Sequence, residues 1–121
     1  MPFPVSETLI ARAEQSLSRM LPKPLRNRLM RDNGGTIAAA GDEWRLHPIW
    51  DDSDRKRIAR TANHVGRETA QARQRHGFPR DAVSVAKDDY GNHLVLLAGS
   101  EKIQLWDHET GLLRGVVVDW D

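Results

Sequence analysis

Six consecutive residues, Trp106-Asp107-His108-Glu109-Thr110-Gly111, put an aromatic ring, two carboxylates and an imidazole into a single turn. Such a set could bind a metal, shuttle a proton or simply close a turn. Successive side chains in a strand or turn diverge, so Asp107, His108 and Glu109 cannot easily converge on one metal. His93, brought across a hairpin, would have to supply the missing ligand. The alternative is structural: Asp107 accepts backbone N–H bonds, as short acids do in turns, and His108 ties the turn to a neighbouring strand. Trp106 is then core or the edge of a platform.

The other clusters carry weaker chemistry. Asp88-Asp89-Tyr90-Gly91-Asn92 offers oxygen ligands at short spacing, but the twelfth position counted from Asp88 is Gly99, where a calcium loop needs an acid. It reads as a turn, with Gly91 supplying a positive φ. Lys87, Asp88 and Asp89 permit a nuclease only on paper. Gly34-Gly35 lacks a following Lys-Ser/Thr and is no phosphate loop. No nucleophile stands in a recognisable relation to a His and an acid. No catalytic, cofactor or metal residue is therefore assigned, and no enzyme activity is expected.

Charge is the stronger signal. The 121 residues sum to +1, but unevenly. Residues 1–31 hold six basic and two acidic side chains, and residues 32–54 hold one and six. Residues 55–80 hold eight basic side chains against Glu68 alone, and residues 81–121 hold three against eight acids. Patches of opposite sign favour steering of a macromolecular partner. The acidic patch is expected from Asp42, Glu43, Asp51, Asp52 and Asp54, with Trp50 and Tyr90 as aromatic anchors. The rival is a basic helix face carrying Arg55, Lys56, Arg57, Arg60, Arg67, Arg73 and Arg75. Residues 56, 60 and 67 fall on one side of it and are able to contact phosphates. No aromatic-interleaved nucleic-acid module accompanies that face, so a protein partner is preferred and nucleic acid is the alternative.

The elements that hold these residues follow from periodicity. Residues 6–20 form an amphipathic helix capped by Ser6 and stopped by Pro22. Pro24 opens a second helix with Leu25, Leu29 and Met30 on its apolar side, ended by Asn33-Gly34-Gly35. Strands are expected at 37–40 and around Trp44 and Leu46, with a turn at Gly41-Asp42. One long helix spans 54–75, with Ile58, Ala62, Val65, Thr69 and Ala72 as its packing stripe. Strands follow at 82–86, 93–98, 102–106 and 112–120, joined by turns short enough for antiparallel pairing. This gives an α+β fold. A mostly antiparallel sheet of about 4–6 strands packs against N-terminal helices and one long central helix, in one domain over residues 1–121. The chain has no Cys, no visible signal peptide and no apolar run able to span a bilayer. A soluble, cytoplasmic protein of unknown oligomeric state is expected.

Several segments in this order resemble the SMI1/KNR4 family of the SUKH superfamily. They are the helix carrying Glu14 and running into Leu21-Pro22, then Leu25, Leu29 and Asn33-Gly34-Gly35, then Trp44-Arg45-Leu46 with Pro48. Thr61-Ala62-Asn63, the segment from Ala86 to Asn92 and the turn at Trp106 to Thr110 complete the series. The resemblance implies an α+β protein-binding module without catalysis or cofactor. It implies an immunity protein that neutralises a cognate polymorphic toxin, often a nuclease, or a regulatory interaction module. An acidic surface would then cover the toxin's basic groove.

Overall fold

The computed structural model describes residues 3–121. Four helices, α1 (Glu7–Leu17), α2 (Lys23–Arg31), α3 (Arg55–Arg60) and α4 (Val65–Ala72), accompany seven strands. The strands are β1 (Thr36–Ala39), β2 (Asp42–Leu46), β3 (Val83–Lys87), β4 (His93–Leu96), β5 (Ile103–Trp106), β6 (Leu113–Gly115) and β7 (Val118–Asp119). The sheet order is β6-β5-β4-β3-β2-β1-β7, and each pairing is antiparallel.

The fold is α+β, with more strands than the 4–6 expected. The segment 112–120 does not form one strand. It pairs with β5 as β6, turns outward at the exposed Val117, and pairs with β1 as β7. Only two residues therefore join strands at opposite ends of the sheet order. Three trans peptide steps reach at most about 11 Å, so the sheet must curl until its two edges come close.

Side-chain alternation sorts the sheet into two faces. Ile37, Ala39, Trp44, Leu46, Val85, Leu94, Leu96, Ile103 and Leu105 join Ile10 of α1 and Leu25 and Leu29 of α2 in the main core. On the other face Val95 and Trp106 pack with Ala72 of α4, Phe78 and Ala82. Leu94–Leu96 is buried on both sides, which suits β4, third from one edge and covered on either flank.

Ser6 caps α1 by accepting from the Leu9 amide at 3.3 Å. The helix stops at Ser18, in the left-handed region at φ 53°, four residues before Pro22. Glu14 secures the link that follows. It is buried, accepts the Leu21 amide at 2.7 Å and faces Arg26 at 3.4 Å. Buried Arg28 donates to the carbonyls of Asp32, Gly34 and Thr36, satisfying the frayed end of α2. Gly34 and Gly35 sit at φ 124° and 82°, where a side chain would be strained.

The long helix expected over 54–75 is two short ones. Thr61 ends α3, its hydroxyl donating back to the Arg57 carbonyl at 2.8 Å and accepting the Asp51 amide at 3.0 Å. His64 starts α4, its Nδ1 accepting the Arg67 amide at 3.3 Å. The Val65 amide bonds the Pro48 carbonyl at 2.9 Å, which binds the break to the loop after β2. Of the expected stripe, Val65, Thr69 and Ala72 are buried, whereas Ile58 and Ala62 are exposed. Ile58 lies on α3, which has no buried residue, and Ala62 lies in the break itself.

Residues 47–51 have no regular structure, yet four of the five are buried. Their polar groups are met by distant partners. The Asn33 amide donates to the Ile49 carbonyl at 2.9 Å and accepts the Ile49 N–H at 2.7 Å. Replacing Asn33 with Ala orphans both groups, so Asn33→Ala should lower stability by about 2–4 kcal/mol in denaturant titration. The β1–β2 loop is Ala40-Gly41, one residue earlier than expected, with both residues at positive φ (53° and 78°). That conformation favours Asn-Gly. Ala40→Asn should therefore gain about 0.5–1 kcal/mol, seen as a rise of a few degrees in Tm.

Candidate binding surfaces

Topology brings three turns side by side at one end of the sheet. β3 ends with Lys87 opposite Arg45, so the first part of β2 runs on past it alongside the β3–β4 turn, and β4 starts where β5 ends, with His93 opposite Trp106. The β1–β2, β3–β4 and β5–β6 turns thus lie along one rim, spanning five strand spacings or about 24 Å.

Two of these turns, β3–β4 and β5–β6, are built by carboxylate and amide side chains. Asp88 Oδ1 accepts the amides of Tyr90 and Asn92, both at 2.9 Å, and its Oδ2 accepts the Asn92 side-chain amide at 3.0 Å. Asp107 Oδ1 accepts Glu109 and Thr110 at 2.8 and 3.3 Å. Asn92 Oδ1 joins the two turns by accepting the His108 amide at 3.1 Å and contacting its Nδ1 at 2.8 Å. With the Asn oxygen as acceptor, His108 Nδ1 carries the proton. Gly91 stands at φ 97°, and a Cβ there would come within 3.2 Å of the Arg75 guanidinium, which donates to the Gly91 carbonyl. Asp88 thus spends both oxygens on amides of its own turn, and Asp107 spends its Oδ1 on backbone amides. Among the described residues, no group of three or more His, Cys, Asp or Glu is placed to hold a metal.

The rim leaves other groups to solvent. Tyr90 is 76% exposed. Asp42, Glu43, Asp89 and Glu109 are exposed around the same end. Asp119 and Glu43 flank Ala38 from the two neighbouring strands, adding a further acid on that face. Asp89 meets Arg45 at 3.1 Å, but both side chains are mostly exposed, so this pair contributes little.

The expected acidic patch is divided. Asp42, Glu43 and Tyr90 share the rim, whereas Trp50, Asp51, Asp52 and Asp54 follow β2 at the opposite end, at least about 13 Å along the strand. Asp51 is not a surface residue. It is buried, accepts the amide and hydroxyl of Ser53 at 3.0 and 2.6 Å, and faces Arg57 at 3.7 Å. Asp52 pairs with Arg12 at 3.1 Å, and that hydrogen bond lowers its pKa. Asp54 caps α3 by accepting the Arg57 amide at 2.8 Å, which lowers its pKa as well. Trp50 is half-buried, its ring 5.2 Å from that of His64.

The basic series is divided too. The helix break removes the common face of residues 56, 60 and 67, because Arg67 belongs to α4 and the others to α3. Arg67 donates to the Ala62 carbonyl at 3.4 Å and Arg73 to that of Ala82 at 3.4 Å. Arg75 lies 5.7 Å over the Trp106 ring. Arg57 and Arg60 stack on Phe3 at 4.2 and 4.7 Å. Arg55 and Lys56 are exposed on α3.

Beneath α4 lies a polar chain invisible in the one-dimensional pattern. Ser84 Oγ contacts His47 Nε2 at 2.9 Å and His93 Nδ1 at 2.7 Å, and its amide bonds Thr69 Oγ1 at 3.0 Å. All three linked side chains are buried, Ser84 completely. One hydroxyl can donate to one ring and accept from the other, so the chain is complete with both imidazoles neutral. Beside it Lys87 meets buried Glu68 at 2.5 Å. The chain braces the loop after β2 against β3 and β4.

A profile of the SMI1 / KNR4 family (SUKH-1) matches residues 4–120. The chain belongs to the SMI1/KNR4 family. No curated protein and no solved structure gave a match. Within this SMI1/KNR4 domain, Glu14, Asn33, Thr61 and Asn92 form links between elements.

Burial holds His47 down at about 3, with the positive field of His93 adding to it, and His93 at about 4, with Arg75 and Lys87 adding. Both values lie below the unfolded value of 6.5. The unfolded chain therefore takes up protons first, and stability is lost as pH falls from about 6.5 towards 4. Each histidine contributes a slope of about 1.4 kcal/mol per pH unit. Urea unfolding between about pH 5 and 6 should show roughly half that combined slope in His93→Gln, which keeps a hydrogen bond to Ser84.

Proposed function

We propose that this SMI1/KNR4 protein is an immunity-type binding module that neutralises a toxin domain by covering it. The observation that carries the reading is the rim. Three adjacent turns place exposed carboxylates around Tyr90, an aromatic anchor with most of its area free to be buried. A nuclease toxin presents a basic groove to its substrate, and a rim of acids with a central aromatic is complementary to it. The β3–β4 and β5–β6 turns are held by hydrogen bonds that Asp88, Asn92 and Asp107 accept, so little ordering entropy opposes binding there.

In this reading the chain performs no bond-breaking and needs no cofactor. It acts in the cytoplasm, where an immunity protein meets its toxin; none of its described helices is long and apolar enough to cross a membrane. Asp42, Glu43 and Tyr90 make first contact, joined by Asp89 and Glu109, which the linear sequence does not associate with them. Trp50, Asp52 and Asp54 occupy another surface. The nucleic-acid alternative is weaker, because Arg57, Arg67, Arg73 and Arg75 hold the chain's own carboxylates and carbonyls.

Affinity capture from the native cell supplies the partner, and surface plasmon resonance on that purified partner tests the rim. Tyr90→Ala should raise Kd at least about tenfold through a faster off-rate. Glu43→Lys should slow association and flatten its dependence on salt. An unchanged Kd and on-rate in both variants would rule the rim out.

A further inference from the structure

Local preference and the path of the chain disagree at Val116-Val117-Val118. Three β-branched residues in a row favour extended strand, and the pattern over 112–120 predicts one strand. The chain instead leaves the sheet at 116–117, between β6 and β7, and Val117 is left 90% exposed. Glycine or a small polar residue would suit an exposed bend better. The bend carries the chain from β5 to its own β1. What it gains there is modest. β7 pairs with β1 through Ala38–Asp119 and Ala39–Val118 alone. Asp121 meets Arg31 at 2.7 Å, but both side chains are mostly exposed, so this pair contributes little. Val118 and Trp120 pack against the main core and stay partly exposed. A cleft of about 330 Å³ runs beside them, bounded by Pro22, Pro24 and Ile103, so the packing around this segment is incomplete.

We propose that two copies of the chain exchange this segment: residues 118–121 leave their own β1 and take the same place on a second copy, while residues 113–119 straighten into one strand. The contacts themselves select the occupant. Ala38, Ala39, Arg31 and the apolar residues against Val118 and Trp120 are present unchanged on a second copy. Exchange therefore keeps each of these contacts and restores the strand that the three valines favour. A hinge of two residues is of the short kind that invites exchange. A net charge of +1 sets little repulsion between copies. The opening is local, because the hydrogen bonds that Asn33 and Ser84 make to the loop after β2 do not involve the segment.

The test uses the full chain, which has no cysteine of its own. Refolded from urea at about 1 mM it should yield a dimer by size-exclusion chromatography with light scattering, and at about 10 µM a monomer. Ala38→Cys and Asp119→Cys combined in one chain place two thiols at opposed, exposed strand positions, within reach of a disulfide. Oxidised after the dimer is isolated, this variant should run at twice the chain mass on a denaturing gel without reductant, whereas the monomer should close the bridge within one chain. The two single-cysteine variants, mixed before refolding, should give the same 38–119 bridge between chains. A Gly-Ser-Gly insertion after Val117 lets the segment return to its own β1 more easily, so it should lower the dimer fraction at least about threefold. Val117→Gly, at a position with little to lose in packing, should act in the same direction. Three results overturn the proposal: a monomer at both concentrations, a dimer whose 38–119 bridge stays within one chain, or a dimer fraction that rises with the longer hinge.

Discussion

The structure depends on satisfying the buried backbone of residues 47–51. A buried segment outside helix and sheet must find a partner for each N–H and C=O, or lose about 1–3 kcal/mol per orphan. Here the partners come from every neighbouring element. Asn33 reaches in from the end of α2, Thr61 from the end of α3, Val65 from the start of α4, and Val85 from β3. His47 adds its ring to the Ser84 chain. This loop therefore orients the helices against the sheet, and its demands explain the helix break. A continuous helix over 54–75 would turn the Val65 amide back to the Thr61 carbonyl and leave the Pro48 carbonyl unmet.

The two surfaces that the fold offers follow from the same arrangement. The β1–β2 hairpin carries Asp42 and Glu43 near its tip, and its base runs into the loop that meets α3. α3 stands over the base because the loop after β2 holds it there.

Much of this was legible in the sequence. Alternating apolar residues located β2 and β5, a continuous apolar run located β4, and Ser6 and Pro24 marked helix starts, because these signals depend only on near neighbours. The helix break was not legible. Ala62, Val65 and Thr69 continue a helical period straight through it, and Thr61 and His64 act as caps only because of partners set by tertiary structure. Asn33 read as part of a helix stop, while the partner of its side chain lies sixteen residues on. The acidic patch was legible as composition but not as geometry. Which turns adjoin depends on strand order and register, and the sequence does not state these. The same holds for Ser84 and His93, whose spacing of nine residues carries no motif.

The pairing of β7 with β1 joins Asp119 to Ala38, and Arg31 meets Asp121 at 2.7 Å. These contacts enclose some eighty residues of chain, so their loop-closure entropy is high and their local reward is two residue pairs. The final strand is thus the latch of the barrel-like curl: the last piece to lock during folding and the first to release. While it is released, β1 presents an unsheltered row of amides and carbonyls to which another polypeptide can zip.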